Sequence, residues 1–308
     1  MQAATQPSRN MERAMRALAG MVLTAITVIA MPPGAQADAP SEQRVCLDNA
    51  STKEQRIAAC SFVIRNAPPV EARELARLYF ARGNAHLSLG AYDHALLDFD
   101  AAIMGDPNAH GPFNSRGLVF RRQKQFDRAI VEFDESIRRN PKDPVPLINR
   151  GDTYRDQGRL DRALQDYDGA IAINPKSVNA YFGRALTLQQ KASSDFEGFL
   201  NEGRFEELAI AEYDKVLQIS PRSANALNNR GRLYHALRKY DLAIADFSQA
   251  IEINPADPTF LRNRASTYRS MRRFDLAIAD YRKALTLTQD DAPRKLIVQL
   301  LAQLGVVP

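Results

Sequence analysis

Two columns of charged side chains and a pair of cysteines are the residues here whose types and spacing could do chemistry. Arg82, Arg116, Arg150, Arg184, Arg230 and Arg264 recur in register, and Asp98, Glu132, Asp166, Glu212, Asp246 and Asp280 recur in step with them. A guanidinium opposite a carboxylate suits charge-assisted, forked hydrogen bonding. A ladder of arginines could equally hold an anionic ligand. Cys46 and Cys60 could form a disulfide, a redox pair or part of a metal site. The redox reading lacks C-x-x-C spacing, and a metal would need more ligands. The four histidines, His86, His94, His110 and His235, include no two at close ligand spacing. No G-x-S-x-G, H-E-x-x-H, P-loop or G-x-G-x-x-G is present. No catalytic residue, metal or cofactor is expected.

What must position these columns is a repeat. Gly83, Gly117 and Gly151 stand 34 residues apart, and Ala185 follows at the same step. Gly231 and Ala265 are again 34 apart, after an interval of 46, one period plus 12 inserted residues. Number each unit so that this small residue is position 8. Ala95, Ala129, Ala163, Ala209, Ala243 and Ala277 then fall at position 20. Phe99, Phe133, Tyr167, Tyr213, Phe247 and Tyr281 fall at 24. Pro107, Pro141, Pro175, Pro221 and Pro255 fall at 32, where the last unit has Gln289. Positions 4, 8 and 11 share one stripe of a first helix, and 20, 24 and 27 one stripe of a second. Small residues at 8 and 20 let the helices approach, the aromatic fills the space beside them, and Pro ends the hairpin. No such hairpin buries its apolar face alone, so the units must stack.

This pattern resembles the tetratricopeptide repeat (TPR), matched six times over residues 76–291. The units start near 76, 110, 144, 178, 224 and 258, and the fourth carries the insertion. Departures are His86 at position 11, Ser136 and Val216 at 27, and the missing last Pro. The resemblance implies an all-α, right-handed helical solenoid with a concave groove for peptides or protein segments. It does not imply a reaction.

The arginines at position 7 lie on one flank of the buried stripe, and positions 2, 5, 9, 12 and 13 lie on the other. The arginine and acid columns therefore read as structural ion pairs: Arg82 with Asp98, Arg116 with Glu132, Arg150 with Asp166, Arg184 with Glu212, Arg230 with Asp246, and Arg264 with Asp280. By analogy with the family, the groove includes Asn84, Arg121, Asp152, Arg155, Asn225, Asn228, Arg232, His235, Arg262 and Arg269. No window matches the clamp by which some co-chaperones of this family hold a C-terminal carboxylate.

Upstream, with Pro68 at position 32, Cys60 lands at 24 and Cys46 near 10. Residues 38–75 then comprise a linker and a degenerate hairpin over 43–68, in which a Cys46–Cys60 disulfide replaces the large-residue contact. Downstream, residues 292–308 carry Leu296, Ile297, Leu300, Leu301 and Leu304 at helical spacing, which suits a capping helix. The insertion, residues 189–203, holds Phe196, Phe199 and Leu200 and reads as a tolerated extension.

The first 37 residues read as a secretory signal peptide: Arg9, Arg13 and Arg16, an uncharged run Ala17–Met31, and A-x-A ending at Ala37. Cleavage is expected near Ala37/Asp38, and Met11 is an alternative start. Removing the leader lowers the formal charge from +5 to +3, because it carries those three Arg and Glu12. Lys and Arg are scattered, so no nucleic-acid partner is expected. The expectation is an exported, periplasmic scaffold that binds another protein or peptide, an acidic segment among the candidates, with no membrane partner after cleavage. Two other readings remain open here, an envelope enzyme using the groove and a structural subunit of an envelope complex.

Overall fold

The computed structural model describes residues 39–66, 71–194 and 204–306. The expected leader over 1–37, its cleavage site, and residues 195–203 of the insertion, with Phe196, Phe199 and Leu200, lie outside the described residues. Fifteen α-helices and no strand occur among those described. The chain divides into two compact units, Met1–Thr153 and Tyr154–Pro308.

The first unit holds α1 (Ala39–Leu47), α2 (Lys53–Asn66), α3 (Ala72–Ser88), α4 (Tyr92–Gly105), α5 (Gly111–Arg122), α6 (Phe126–Arg139) and most of α7 (Pro144–Asp156). The second holds α8 (Leu160–Ile173), α9 (Val178–Ser194), α10 (Arg204–Ile219), α11 (Ala224–Ala236), α12 (Tyr240–Ile253), α13 (Pro258–Ser270), α14 (Phe274–Leu287) and α15 (Asp291–Gln303). Helices α1 with α2, α3 with α4, α5 with α6, α9 with α10, α11 with α12, and α13 with α14 pack as hairpins. Each hairpin stacks on the next within its unit. This is the all-helical, stacked-hairpin architecture of a TPR solenoid.

In five of the repeats the turn between the two helices is made the same way. Position 15 adopts left-handed backbone, with φ of 74° at Gly90, 60° at Lys124, 75° at Gly158, 56° at Arg238 and 59° at Arg272. The next residue's N–H then reaches back to the carbonyl of position 11: Ala91 to His86 at 2.9 Å, Gln125 to Phe120 at 2.8 Å, Lys239 to Tyr234 at 2.8 Å. That bond closes the first helix in a Schellman motif. In five repeats the second helix ends where Asn, Asp or Ser precedes Pro. Asn140 is extended (φ −139°, ψ 86°), as a residue before Pro must be, and its side chain accepts from the Lys142 N–H.

Packing explains the rest of the pattern. All six position-20 alanines are fully buried, and the position-24 aromatics are at most 1% exposed. A Cβ on Gly117 would fall 2.6 Å from Phe133, which is why position 8 stays so small.

The ends close differently. Helix α1 begins ahead of residue 43, and Cys46 and Cys60 form a disulfide that is wholly buried between α1 and α2. Ala59, Val63 and Leu78 pack around it. At the other end α15 buries Ile297 and Leu301 against Leu261, Tyr281 and Ala284. Leu296, from the same expected stripe, is exposed. Helix α9 runs through Ser194, so the first part of the 189–203 insertion extends that helix.

Candidate functional site

The arginine column is a built device. Arg82 forks onto Asp98 at 2.6 and 3.0 Å. Arg230 does the same with Asp246 at 2.6 and 2.8 Å, and Arg264 with Asp280 at 2.7 and 2.9 Å. Arg116 meets Glu132 at 2.9 Å, and Arg184 meets Glu212 at 2.8 Å. Arg150 and Asp166 belong to different units, so their pairing stays an expectation.

A second column, unnoticed in the sequence, completes each site. The remaining Nη of the arginine reaches position 25 of the preceding hairpin. Arg116 binds Asp100 at 2.5 Å, Arg184 binds Asp168 at 2.5 Å, and Arg230 binds Asp214 at 2.6 Å. Arg150 pairs with Asp134. Where position 25 is a serine the hydroxyl accepts instead: Ser61 from Arg82 at 3.0 Å and Ser248 from Arg264 at 2.9 Å. Arg82, Arg116, Arg184, Arg230 and Arg264 each tie their own hairpin together and fasten it to the one before, and Arg150 is fastened to the hairpin before it. The Asp246 hydrogen bond holds the Arg230 pKa above its ordinary value; burial opposes it and the Asp214 bond adds to it. Burial pushes the Asp98 carboxyl above its usual range, against the pull of Arg82. These arginines are committed, and none is available to a ligand.

The residues expected in the groove divide into two sets. Seven are tied to neighbours, Asp152 as the partner of Arg121. Asn84 accepts from Ser115 at 2.9 Å. Arg121 pairs with Asp152 at 3.3 Å. Arg155 donates to the Tyr167 hydroxyl at 3.3 Å. Asn228 is buried and accepts from Asn263 at 2.8 Å, the same bridge that joins Asn149 to Asn114 in the first unit. His235 Nδ1 lies 2.9 Å from Thr267 Oγ1. The Thr267 hydroxyl already donates to the Asn263 carbonyl, so the imidazole must carry its proton on Nδ1 and donate. Burial, then Arg269, lowers the His235 pKa, which keeps the ring neutral near pH 7. Arg269 donates to Gln303 of the capping helix at 3.2 Å. Position 12 (Arg121, His235, Arg269) is therefore largely a column of ties between successive first helices.

Asn225, Arg232 and Arg262 form the second set. Asn225 and Arg232 are exposed on α11, and Arg262 is half-buried on α13. None of the three makes a side-chain hydrogen bond or ion pair among the described residues. Arg230 and Arg232 are two residues apart on one helix, one locked and one open.

Among the described residues no three His, Cys, Asp or Glu converge as metal ligands, and no helix is long and apolar enough to cross a membrane. His86 and His94 stack at 5.2 Å beside Asp98, but His86 is buried under the packed hairpin.

Comparison with known proteins gives the same class. Profiles described as tetratricopeptide repeat match residues 74–144, 132–165, 224–257 and 262–291, and one described as TPR repeat matches 151–191. Together they span more than half of the chain. Among solved structures, one described as a functional characterization of Pseudomonas aeruginosa pilF superposes with a TM-score of 0.62 at 15% identity, covering 75% of this chain and 99% of that one. A tetratricopeptide repeat protein from Parabacteroides merdae superposes at 0.61 with 17% identity, covering 86% of this chain and 97% of that one. At these identities the likeness is one of fold. No curated protein matches the chain. The stacked hairpins and their spacing define a helical-repeat scaffold. The chain belongs to the tetratricopeptide repeat family, whose members generally mediate protein–protein interactions.

Proposed function

We propose that this protein is an exported, periplasmic adaptor that binds an acidic segment of another protein on the open face of α11 and α13. The observation that carries this reading is the contrast along α11. Arg230 spends its donors on Asp246 and Asp214, whereas Arg232, with Asn225 beside it on the same face, is exposed and unpaired. An exposed, forked cation with no acid of its own attracts a carboxylate-bearing segment and steers its approach. Arg262 adds a second open cation on the next first helix. The export half of the reading is supported by the Arg-led apolar run ending at Ala37. A buried disulfide also suits an oxidising compartment.

The test is capture of partners from a cell-envelope extract. Arg232→Ala should weaken capture and leave the melting temperature unchanged. Arg230→Ala should lower stability by about 2 kcal/mol, because it strands the buried Asp246, while the capture surface stays intact. Capture that survives Arg232→Ala together with Arg262→Ala rules the face out. N-terminal sequencing of the protein from cells should start near Asp38, and an intact Met1 or Met11 removes the export reading.

A further inference from the structure

A cavity of ≈ 330 Å³ opens where α13, the end of α14 and the start of α15 meet. Its lining is mixed. Pro258, Leu287, Pro293 and Ile297 give an apolar wall, while Arg262 and Asp290 bring opposite charges to the same opening. The two do not pair with each other, and neither side chain makes an ion pair or hydrogen bond among the described residues. Asp290 stands at the N-cap of α15 yet accepts no capping bond there. The Thr288 hydroxyl is spent on the Ala284 carbonyl.

An unpaired guanidinium and an unpaired carboxylate on one cavity are complementary to a molecule that carries both charges itself. We propose that this cavity binds a free α-amino acid with an apolar side chain. Its carboxylate takes the fork of Arg262, its ammonium takes the carboxylate of Asp290, and its side chain lies against Leu287, Pro293 and Ile297. Charge-assisted hydrogen bonds at both ends make the site discriminate against ligands missing either charge. The site exists because the last unit lacks Pro at position 32: Gln289 and Asp290 there lead straight into the capping helix. The proposal shares Arg262 with the adaptor reading but does not rest on it: it needs no protein partner, and Arg232, which carries the adaptor reading, does not line this cavity.

The test is an amide-resolved NMR titration of the protein with L-leucine, N-acetyl-leucine and leucinamide. L-leucine should give saturable shifts at Thr259, Thr288, Gln289 and Asp290. N-acetyl-leucine and leucinamide should each bind at least about tenfold more weakly, the loss of one charge-assisted contact. Arg262→Gln and Asp290→Asn should each weaken L-leucine to the same degree. Asn is a good N-cap residue, so the second variant keeps α15 in place even if the first disturbs packing. Absence of saturable shifts with L-leucine overturns the proposal. So does equal binding of either blocked compound, or L-leucine affinity unchanged in Asp290→Asn. A lost partner capture in Arg232→Ala says nothing of this site, which keeps the two failures distinguishable.

Discussion

The N-terminal hairpin and the C-terminal cap solve the same problem, an unpartnered face of a stack, by different means. At α1–α2 the closure is covalent: Cys46 and Cys60 occupy the place where other hairpins set a large residue against an aromatic. At α15 it is an amphipathic helix, held by Ile297 and Leu301 and by the Arg269–Gln303 hydrogen bond. The first closure leaves no charge open in its core, because Arg56 spends its Nε on the Cys46 carbonyl. The second leaves Arg262 and Asp290 facing one cavity. The disulfide sits among small residues, Ala59, Val63 and Ala81, whereas α15 sets Ile297 and Leu301 against Leu261 and Tyr281. The repeats nearest the two ends differ in parallel ways, at positions 11 and 15, and these differences can be tested one by one.

The largest effect should come from the staple. Replacing Cys46 and Cys60 by Ser opens a loop of about 15 residues and should cost about 3 kcal/mol. The cost should be local. Hydrogen exchange should show protection lost over α1 and α2, while α13, α14 and α15 keep theirs. Equal loss at both ends would mean that the C-terminal closure depends on the N-terminal one.

Position 11 should separate the ends by pH. In the first repeat it is His86, buried, where the last repeat has Tyr268. Burial first, then Arg82 and His94, lowers the His86 pKa to about 4. The unfolded chain, with an ordinary pKa of about 6.5, binds a proton that the folded chain refuses throughout that window. Stability is therefore full above pH 6.5 and falls as pH drops towards 4. The loss should be about 2 kcal/mol, less than the bare shift implies, because Asp98 takes up protons more readily in the fold and acts in the opposite sense. Unfolding followed between pH 4 and 7 should show this slope in the native protein and a flatter one in His86→Tyr. A slope that survives the substitution assigns it to another group.

Much of this architecture can be read before any coordinate is seen. The small residue at 8 and the aromatic at 24 report a steric pair, such as Gly117 with Phe133, and steric pairs repeat faithfully. The Arg230–Asp246 bond is legible for the same reason, since both residues sit within one hairpin. The second acid column is less complete, with Asp100, Asp134, Asp168 and Asp214 at position 25 but Ser248 and Arg282 in the last two repeats. It is harder to see because its arginine belongs to the following unit, and helical periodicity says nothing about neighbours across a stack. The groove residues were the least legible. Helical phase puts Arg121, His235 and Arg269 on the right face, but it cannot show that each one leans onto the next hairpin or cap. The Arg262 cavity depends on how α15 departs from the repeat, which no periodic reading contains.

The smallest difference between the ends lies in the hairpin turns. Position 15 is Gly90 in the first repeat and Arg272 in the last, and both adopt left-handed backbone, at φ 74° and 59°. The turn demands it. Only that conformation lets the Ala91 N–H reach the His86 carbonyl, and the Arg273 N–H the Tyr268 carbonyl, each at 2.9 Å. Glycine enters this region freely, whereas a Cβ strains against the following carbonyl by roughly 1–2 kcal/mol. Part of that strain is offset, since Gly also has more freedom to lose from the unfolded chain. Arg272→Gly should therefore stabilise by about 0.5–1 kcal/mol, and Gly90→Ala should destabilise by about 1 kcal/mol. Arg272 makes no ion pair or side-chain hydrogen bond among the described residues, so its removal carries no other cost. Chemical denaturation of the two variants at neutral pH measures both signs. If Arg272→Gly weakens the fold, the turn is held by the arginine side chain rather than merely tolerating it, and the strain argument fails at that end.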